Sequence, residues 1–274
     1  VEKIKRYGFT TSELERAKTE LLASIERSYN ERTTRQNQSY AQEYYRNYLD
    51  AEPIPGIEYE YEYLKAVLPQ LPVVLVNQLA QQYITDNNVV ISYLGKENSD
   101  VVSVPTQEEV LNIFNSVKTA EIEAPVEETF DRPLVETAPT AGTIVKEKFN
   151  KKLGTTEWTL SNGIKVVIKP TDFKNDQIIM SMESEGGSSK IALNDLPSAT
   201  LADAVISYNG IGEFSVLDLQ KVLTGKNVSV SPDISEYSES MSGTSTVKDF
   251  ETMMQLAYLY FTAPRQDDQA YQTL

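Results

Sequence analysis

Most enzymatic chemistry that depends on a side-chain base or nucleophile of moderate pKa uses an imidazole or a thiol. These 274 residues contain neither histidine nor cysteine. A Ser-His-Asp triad cannot be assembled without its imidazole base, nor a thiolate nucleophile without sulfur. Tightly held zinc takes imidazole or thiolate ligands, so a zinc site has no first-choice donors here. Asp and Glu remain for proton transfer or for binding Mg²⁺ and Ca²⁺. Asp195, Asp203 and Glu213 are the carboxylates that could be gathered around a cation, but their spacing does not place all three on one helical face. Solvated charge accounts for them better. Tyr59, Tyr61 and Tyr63 alternate with Glu58, Glu60 and Glu62 and could form an aromatic ladder for a peptide. Core and surface tyrosines on a helix explain them more simply. Gly186-Gly187-Ser188-Ser189 lacks the lysine and the spacing of a phosphate-binding loop and reads as a strand-to-helix turn. Asn37-Gln38-Ser39 and Asn227-Val228-Ser229 match the glycosylation acceptor, a tripeptide so common by chance that it carries no weight. No catalytic, cofactor-binding or metal-ligating residue is therefore expected in this chain.

Charge narrows the partners. With 25 basic and 40 acidic residues the net charge is −15. Such a field repels phosphate backbones and anionic membranes, which excludes nucleic acid as an expected partner. No apolar run approaches the roughly 18 residues of a membrane span. The absence of cysteine is compatible with any redox compartment. Forty per cent apolar and 24% charged residues suit a globular chain. A start at Val1 and an end at Leu274, just after an apparent helix start, suggest a piece of a longer protein.

The elements that would position any site come next. Thr10 and Glu13 form a Ser/Thr-x-x-Glu capping box, and Leu14, Ala17, Leu21 and Ile25 follow at helical spacing. Tyr40, Tyr44 and Tyr48, with Ala41, Tyr45 and Leu49, extend the pattern until Pro53 and Pro55 stop it. A polar interval at 30–39 makes this one broken helix. Ile57, Tyr61, Leu64 and Leu68 mark a shorter helix, and Val73, Val76, Leu79, Ala80 and Tyr83 another. The β-rich run 89–95 predicts a buried strand. Thr106 and Glu109 form a second capping box ahead of Val110, Ile113, Phe114 and Val117. Residues 1–118 thus read as the later part of an α+β domain.

Residues 119–156 read as an acidic connector, punctuated by Pro125, Pro133 and Pro139. Beyond it, Trp158-Thr159-Leu160, the Asn162-Gly163 turn and 164–169 make a hairpin. A strand is expected at 178–183, helices at 201–206 and 216–223, and strands at 228–231 and 234–244 around a Pro232-Asp233 turn. An amphipathic helix over 247–261 closes the pattern with Phe250, Met253, Met254, Ala257, Tyr258 and Phe261. Residues 157–274 are again α+β, an antiparallel sheet with helices on one face.

Several segments resemble the insulinase/pitrilysin family of zinc metallopeptidases. Gly8-Phe9-Thr10 followed by Glu13-Leu14-Glu15-Arg16-Ala17-Lys18 is similar to a late-helix segment of that family, as is Glu52-Pro53-Ile54-Pro55-Gly56-Ile57-Glu58. Trp158-Thr159-Leu160-Ser161-Asn162-Gly163-Ile164-Lys165-Val166 is similar to the opening of each half of such an enzyme. The resemblance implies two insulinase-like α+β domains: the C-terminal part of one at 1–118, a linker at 119–156, and the N-terminal part of a second at 157–274.

In that family His-x-x-Glu-His plus a later glutamate binds zinc and activates water. Tyr208-Asn209-Gly210 resembles the residues after that motif, which would place Leu201, Ala204 and Val205 at its essential positions. None can ligate a metal or move a proton. The resemblance therefore implies a non-catalytic half that closes a peptide chamber, with zinc bound upstream of Val1 in the parent metalloendopeptidase. It also implies a peptide substrate for the parent, a homo-oligomer or paired half, and a periplasmic or extracytoplasmic location. A non-enzymatic peptide-binding or scaffold subunit on the same fold is the alternative.

Overall fold

The computed structural model describes every residue except 86, 95–103, 127–131 and 274. Among the described residues, six α-helices occupy the first part of the chain: α1 (Glu2–Tyr7), α2 (Thr11–Asn30), α3 (Asn37–Asp50), α4 (Ile57–Val67), α5 (Val73–Tyr83) and α6 (Gln107–Val117). Both expected capping boxes form. The Glu13 carboxylate accepts the Thr10 N–H at 2.7 Å while the Glu13 N–H donates to the Thr10 hydroxyl at 3.2 Å. Thr106 and Glu109 make the same exchange at the start of α6. Each satisfies backbone N–H groups that the first turn leaves without intrahelical partners. The polar interval is narrower than expected: α2 continues to Asn30 and α3 starts at Asn37, so two helices replace one broken one. The run 89–94 is not a strand. β-propensity becomes a strand only where a neighbouring strand completes the ladder. Gly95 lies outside the described residues.

Among the described residues, six strands and five further α-helices follow: β1 (Ile144–Asn150), β2 (Thr155–Leu160), β3 (Lys165–Ile168), β4 (Ile178–Glu185), α7 (Leu196–Thr200), α8 (Ala202–Asn209), α9 (Val216–Val222), β5 (Val228–Ile234), β6 (Ser238–Ser245), α10 (Phe250–Thr262) and α11 (Asp268–Thr273). They form two antiparallel three-stranded sheets, β1-β2-β3 and β4-β6-β5. The chain is α+β. Strand β1 lies within the stretch expected to be connector, pairing Lys148 with Glu157 and Phe149 with Thr156. The Asn-Gly hairpin forms as expected, with the Leu160 N–H donating to the Ile164 carbonyl at 2.9 Å. The Pro232-Asp233 turn does not form. Both residues lie inside β5, opposite Met241 and Ser240, and the chain reverses at 235–237 instead. β5 is an edge strand, where a residue without a backbone N–H interrupts no ladder.

The chain divides into two compact units. The first comprises Val1–Lys18 and Lys65–Thr129, the second Thr19–Leu64 and Phe130–Leu274. In the first, the Asn77 side chain grips the turn before α2. Its Oδ1 accepts the Phe9 N–H at 2.7 Å and its Nδ2 donates to the Phe9 carbonyl at 3.1 Å. Arg6 donates to the carbonyls of Ala120 at 2.7 Å and Lys118 at 2.8 Å, placing a cation at the C-terminal end of α6. In the second unit, Met253, Leu256, Ala257 and Leu259 of α10 are buried, along with Met241 of β6. Gly243 permits this approach: a Cβ there would sit 2.8 Å from Met180 Cε and 3.0 Å from Met253 Sδ. Period-two alternation puts Met180, Gly243 and Val230 in one cross-strand row on that face.

Candidate functional site

Leu201 and Val205 are linked by the first backbone bond of α8, the Val205 N–H donating to the Leu201 carbonyl at 2.9 Å. Leu201 precedes α8 as its N-cap residue, in the break after α7, and is 47% exposed. The helix was expected to begin at 201, one residue earlier. Ala204 and Val205 lie within α8 and are half-buried. The start of α8 thus falls at Leu201, and none of the three side chains offers a metal-binding atom.

The segment just after them is built as an anchor. Asn209 is 1% exposed. Its Nδ2 donates to the Val205 carbonyl at 2.6 Å, its Oδ1 accepts the Asp267 N–H at 2.7 Å, and its own carbonyl accepts Arg265 Nη1 at 2.8 Å. Arg265 Nη1 also reaches Asp267 Oδ2 at 2.7 Å. The Ala270 N–H and then Arg265 hold the Asp267 carboxyl below its ordinary pKa, while the Gln269 N–H adds to the same effect and caps α11. Gly210 completes the turn. Its φ of 81° is left-handed, and a Cβ there would collide with the Phe214 carbonyl. The Asn209 carbonyl and Oδ1 thus join the end of α8 to Arg265 and Asp267, while Asp267 Oδ1 serves α11.

Asp249 is a buried carboxylate, 2% exposed. Burial alone would raise its pKa. The Asn227 N–H at 2.8 Å, the Thr246 hydroxyl at 2.9 Å and Lys226 Nζ at 3.4 Å outweigh that penalty and hold the carboxyl below the usual range. The Asp249 N–H returns a bond to Thr246 Oγ1 at 3.2 Å. Thr246-Val247-Lys248-Asp249 is thus a side-chain-closed turn leading into α10, whose N-cap residue is Asp249. Its Thr-x-x-Asp spacing before an apolar run was the available sequence signal.

Beside it a cleft of about 320 Å³ is lined by Arg132, Lys226, Lys248, Glu251 and the apolar side chains of Val222 and Leu223 at the end of α9. Its cations are engaged: Lys226 with Asp249, Lys248 with Glu26 at 3.3 Å, and Arg132 4.6 Å over the Phe214 ring. The arrangement supplies ion pairs and no nucleophile activated by a base.

The remaining candidates are placed as follows. Asp195 is the N-cap residue of α7, Asp203 lies in the first turn of α8, and Glu213 follows it in a turn. Among the described residues no group of three or more Asp or Glu is arranged to hold a metal. The N–H groups of Gly186, Ser188 and Ser189 donate to carbonyls at 235–237, which leaves them turned from any phosphate. Tyr59 and Tyr63 are exposed and stacked on each other, whereas Tyr61 stacks on Tyr29. With no imidazole, no thiolate and no gathered carboxylates, the residues present do not fit a zinc ion. No helix among the described residues is long and apolar enough to cross a membrane.

No family model matches the chain. It is 29% identical over 263 residues to a zinc protease PQQL-like protein of Arabidopsis thaliana, covering 96% of this chain and 25% of that protein. The chain therefore spans about a quarter of the length of the curated relative it matches. The crystal structure of the periplasmic protease PqqL from Escherichia coli shares its fold, with a TM-score of 0.51 and 18% identity over 99% of this chain and 30% of that one. The ferredoxin protease FusC, solved in complex with Arabidopsis ferredoxin, aligns with a TM-score of 0.46 and 18% identity over 97% of this chain and 30% of that one. The likeness in sequence to a zinc protease and in fold to PqqL bears out the resemblance to the insulinase/pitrilysin family.

Proposed function

We propose that this insulinase-like chain is a non-catalytic part of a zinc metalloendopeptidase, closing a peptide chamber whose metal is held by residues outside these 274. Residues 1–118 would form the C-terminal part of one α+β domain, joined by a connector to the N-terminal part of the next. The observation that carries the reading is the similarity to a zinc protease over nearly the whole chain, in a sequence without histidine or cysteine. The likeness to a zinc protease supports the activity of the whole, and the lack of imidazole and thiolate supports placing it outside this segment. Zinc would polarise the scissile carbonyl and lower the pKa of its water elsewhere in the protein. The contribution of this chain would be shape: helices and sheets that present a wall to the substrate. The fold shared with a periplasmic protease supports an extracytoplasmic address.

The test compares the 274-residue chain with the longer protein that contains it. The chain alone should retain no zinc after dialysis and cleave no peptide, while the longer protein does both and loses cleavage with a chelator. Stoichiometric zinc with chelator-sensitive hydrolysis by the chain alone would overturn the reading. A longer protein lacking both metal and cleavage would instead identify a peptide-binding or scaffold subunit on this fold.

A further inference from the structure

Helix α4 alternates glutamate and tyrosine through Glu58-Tyr59-Glu60-Tyr61-Glu62-Tyr63. At about 100° per residue the alternation sends Tyr61 to one side of the helix and Tyr59 with Tyr63 to another. The Tyr61 side is engaged within the chain. Its ring stacks on Tyr29 with centroids 4.8 Å apart and planes 20° from parallel. The Arg32 guanidinium lies 4.1 Å over the Tyr29 ring, and its Nε reaches Glu58 at 3.6 Å. A stacked tyrosine pair, a glutamate and an arginine make one unit. A related unit opens α3, where Arg35 lies 4.4 Å over Tyr40 and pairs with Glu43 at 3.0 Å.

The other side of α4 repeats the receiving half of that unit. Tyr59 and Tyr63, one turn apart, stack at 5.9 Å with planes 12° from parallel, and they are 61% and 52% exposed. Glu62 flanks the pair on one side and Glu60 on the other. Among the described residues no cation lies over either ring and Glu62 joins no ion pair, while Glu60 stands in the field of Arg46. The segment that carries the pair is acidic. Residues 37–67 carry the acids Glu43, Asp50, Glu52, Glu58, Glu60 and Glu62 against the bases Arg46 and Lys65.

We propose that the Tyr59/Tyr63 pair with Glu62 and Glu60 docks an arginine side chain on a partner polypeptide segment. The rings offer an electronegative face and the carboxylates a counter-charge, and a planar guanidinium uses both at once. A lysine ammonium, compact and strongly hydrated, stacks less well and is the weaker ligand. The inference goes beyond the proposed protease role and holds whether or not the intact protein cleaves peptides.

The experiment uses the intact protein and a fluorescent glycine–serine peptide carrying alternate arginines. Counterparts replace arginine with lysine or with citrulline, its uncharged isostere. The arginine peptide should bind most tightly, with affinity falling as salt rises, and the citrulline peptide should fall to background. Tyr59→Leu with Tyr63→Leu should weaken binding about 5- to 30-fold, from two exposed cation–π contacts of about 2- to 5-fold each. Tyr59→Phe with Tyr63→Phe keeps the rings and should stay within about 2-fold of the parent. Glu62→Gln should cost about 2- to 5-fold. Equal binding of the citrulline peptide or full affinity in the leucine variant would overturn the proposal. So would resistance of Tyr59 and Tyr63 to nitration in the intact protein, which would show the face covered by another part of it. If the leucine variant loses helix by circular dichroism, Glu62→Gln decides, and unchanged affinity there overturns the proposal.

Discussion

The two sheets of the second unit share strand number and antiparallel pairing, yet only one of them has a core. In β4-β6-β5, the face carrying Met180, Met241 and Gly243 packs beneath α10, and Met253 is fully buried. In β1-β2-β3, Phe149 is 64% exposed and Val167 65%. Thr155 is the only buried residue of its strands. Apolar content therefore does not tell the sheets apart; a covering helix does. Hydrophobic stabilisation scales with area removed from water, and a side chain with nothing above it contributes little.

Substitutions should expose the contrast. Met253→Ala should destabilise the second unit most, by about 2–5 kcal/mol, read as a lower urea midpoint. Gly243→Ala should cost about 1–3 kcal/mol by overpacking, and markedly less when Met253→Ala has already emptied the space beneath α10. Strict additivity of the two would mean that the Gly243–Met253 approach is not what limits the packing.

Asp249→Asn tests the polar edge of the same core. Losing the charge that faces Lys226, and weakening the bonds from Asn227 and Thr246, should cost about 1–3 kcal/mol near neutral pH. Because the folded state holds the Asp249 carboxyl below its unfolded pKa, its contribution is complete above that unfolded value of about 4. It disappears as pH falls through the lower folded value. The gap between parent and variant should therefore be widest above pH 4 and close in stronger acid. A gap that widened on acidification would reverse the assigned shift.

The smallest effect belongs to the uncovered sheet, where Val167→Thr should change stability by no more than about 0.5 kcal/mol. A loss comparable to that of Met253→Ala would abolish the distinction between the sheets.

Local chemistry was legible in the sequence where it is complete within a few residues. The Thr10–Glu13 and Thr106–Glu109 boxes and the Asn162-Gly163 hairpin form where their spacing predicts them. Features that depend on a distant partner were not. Strand β1 was hidden in an acidic, proline-bearing stretch because its pairing depends on β2. Pro232 signals a turn in isolation, but β5 ends a sheet and tolerates it. Val89 to Leu94 have the composition of a strand without forming one. At the candidate site, the lack of metal ligands at Leu201, Ala204 and Val205 could be read from residue types alone. That Leu201 lies outside α8 depends on where one helix ends and the next begins, a boundary composition does not mark.

Helix α3 carries the converse lesson. None of its 14 residues is buried, and a helix of that length is marginal in water without tertiary support. Its backbone amides should therefore exchange with solvent deuterium through local opening, far faster than those of α10, which share the stability of the core. Anything that settles on α3 would slow that exchange. The helix is thus a built-in gauge, reporting through its own amides when its surface is covered.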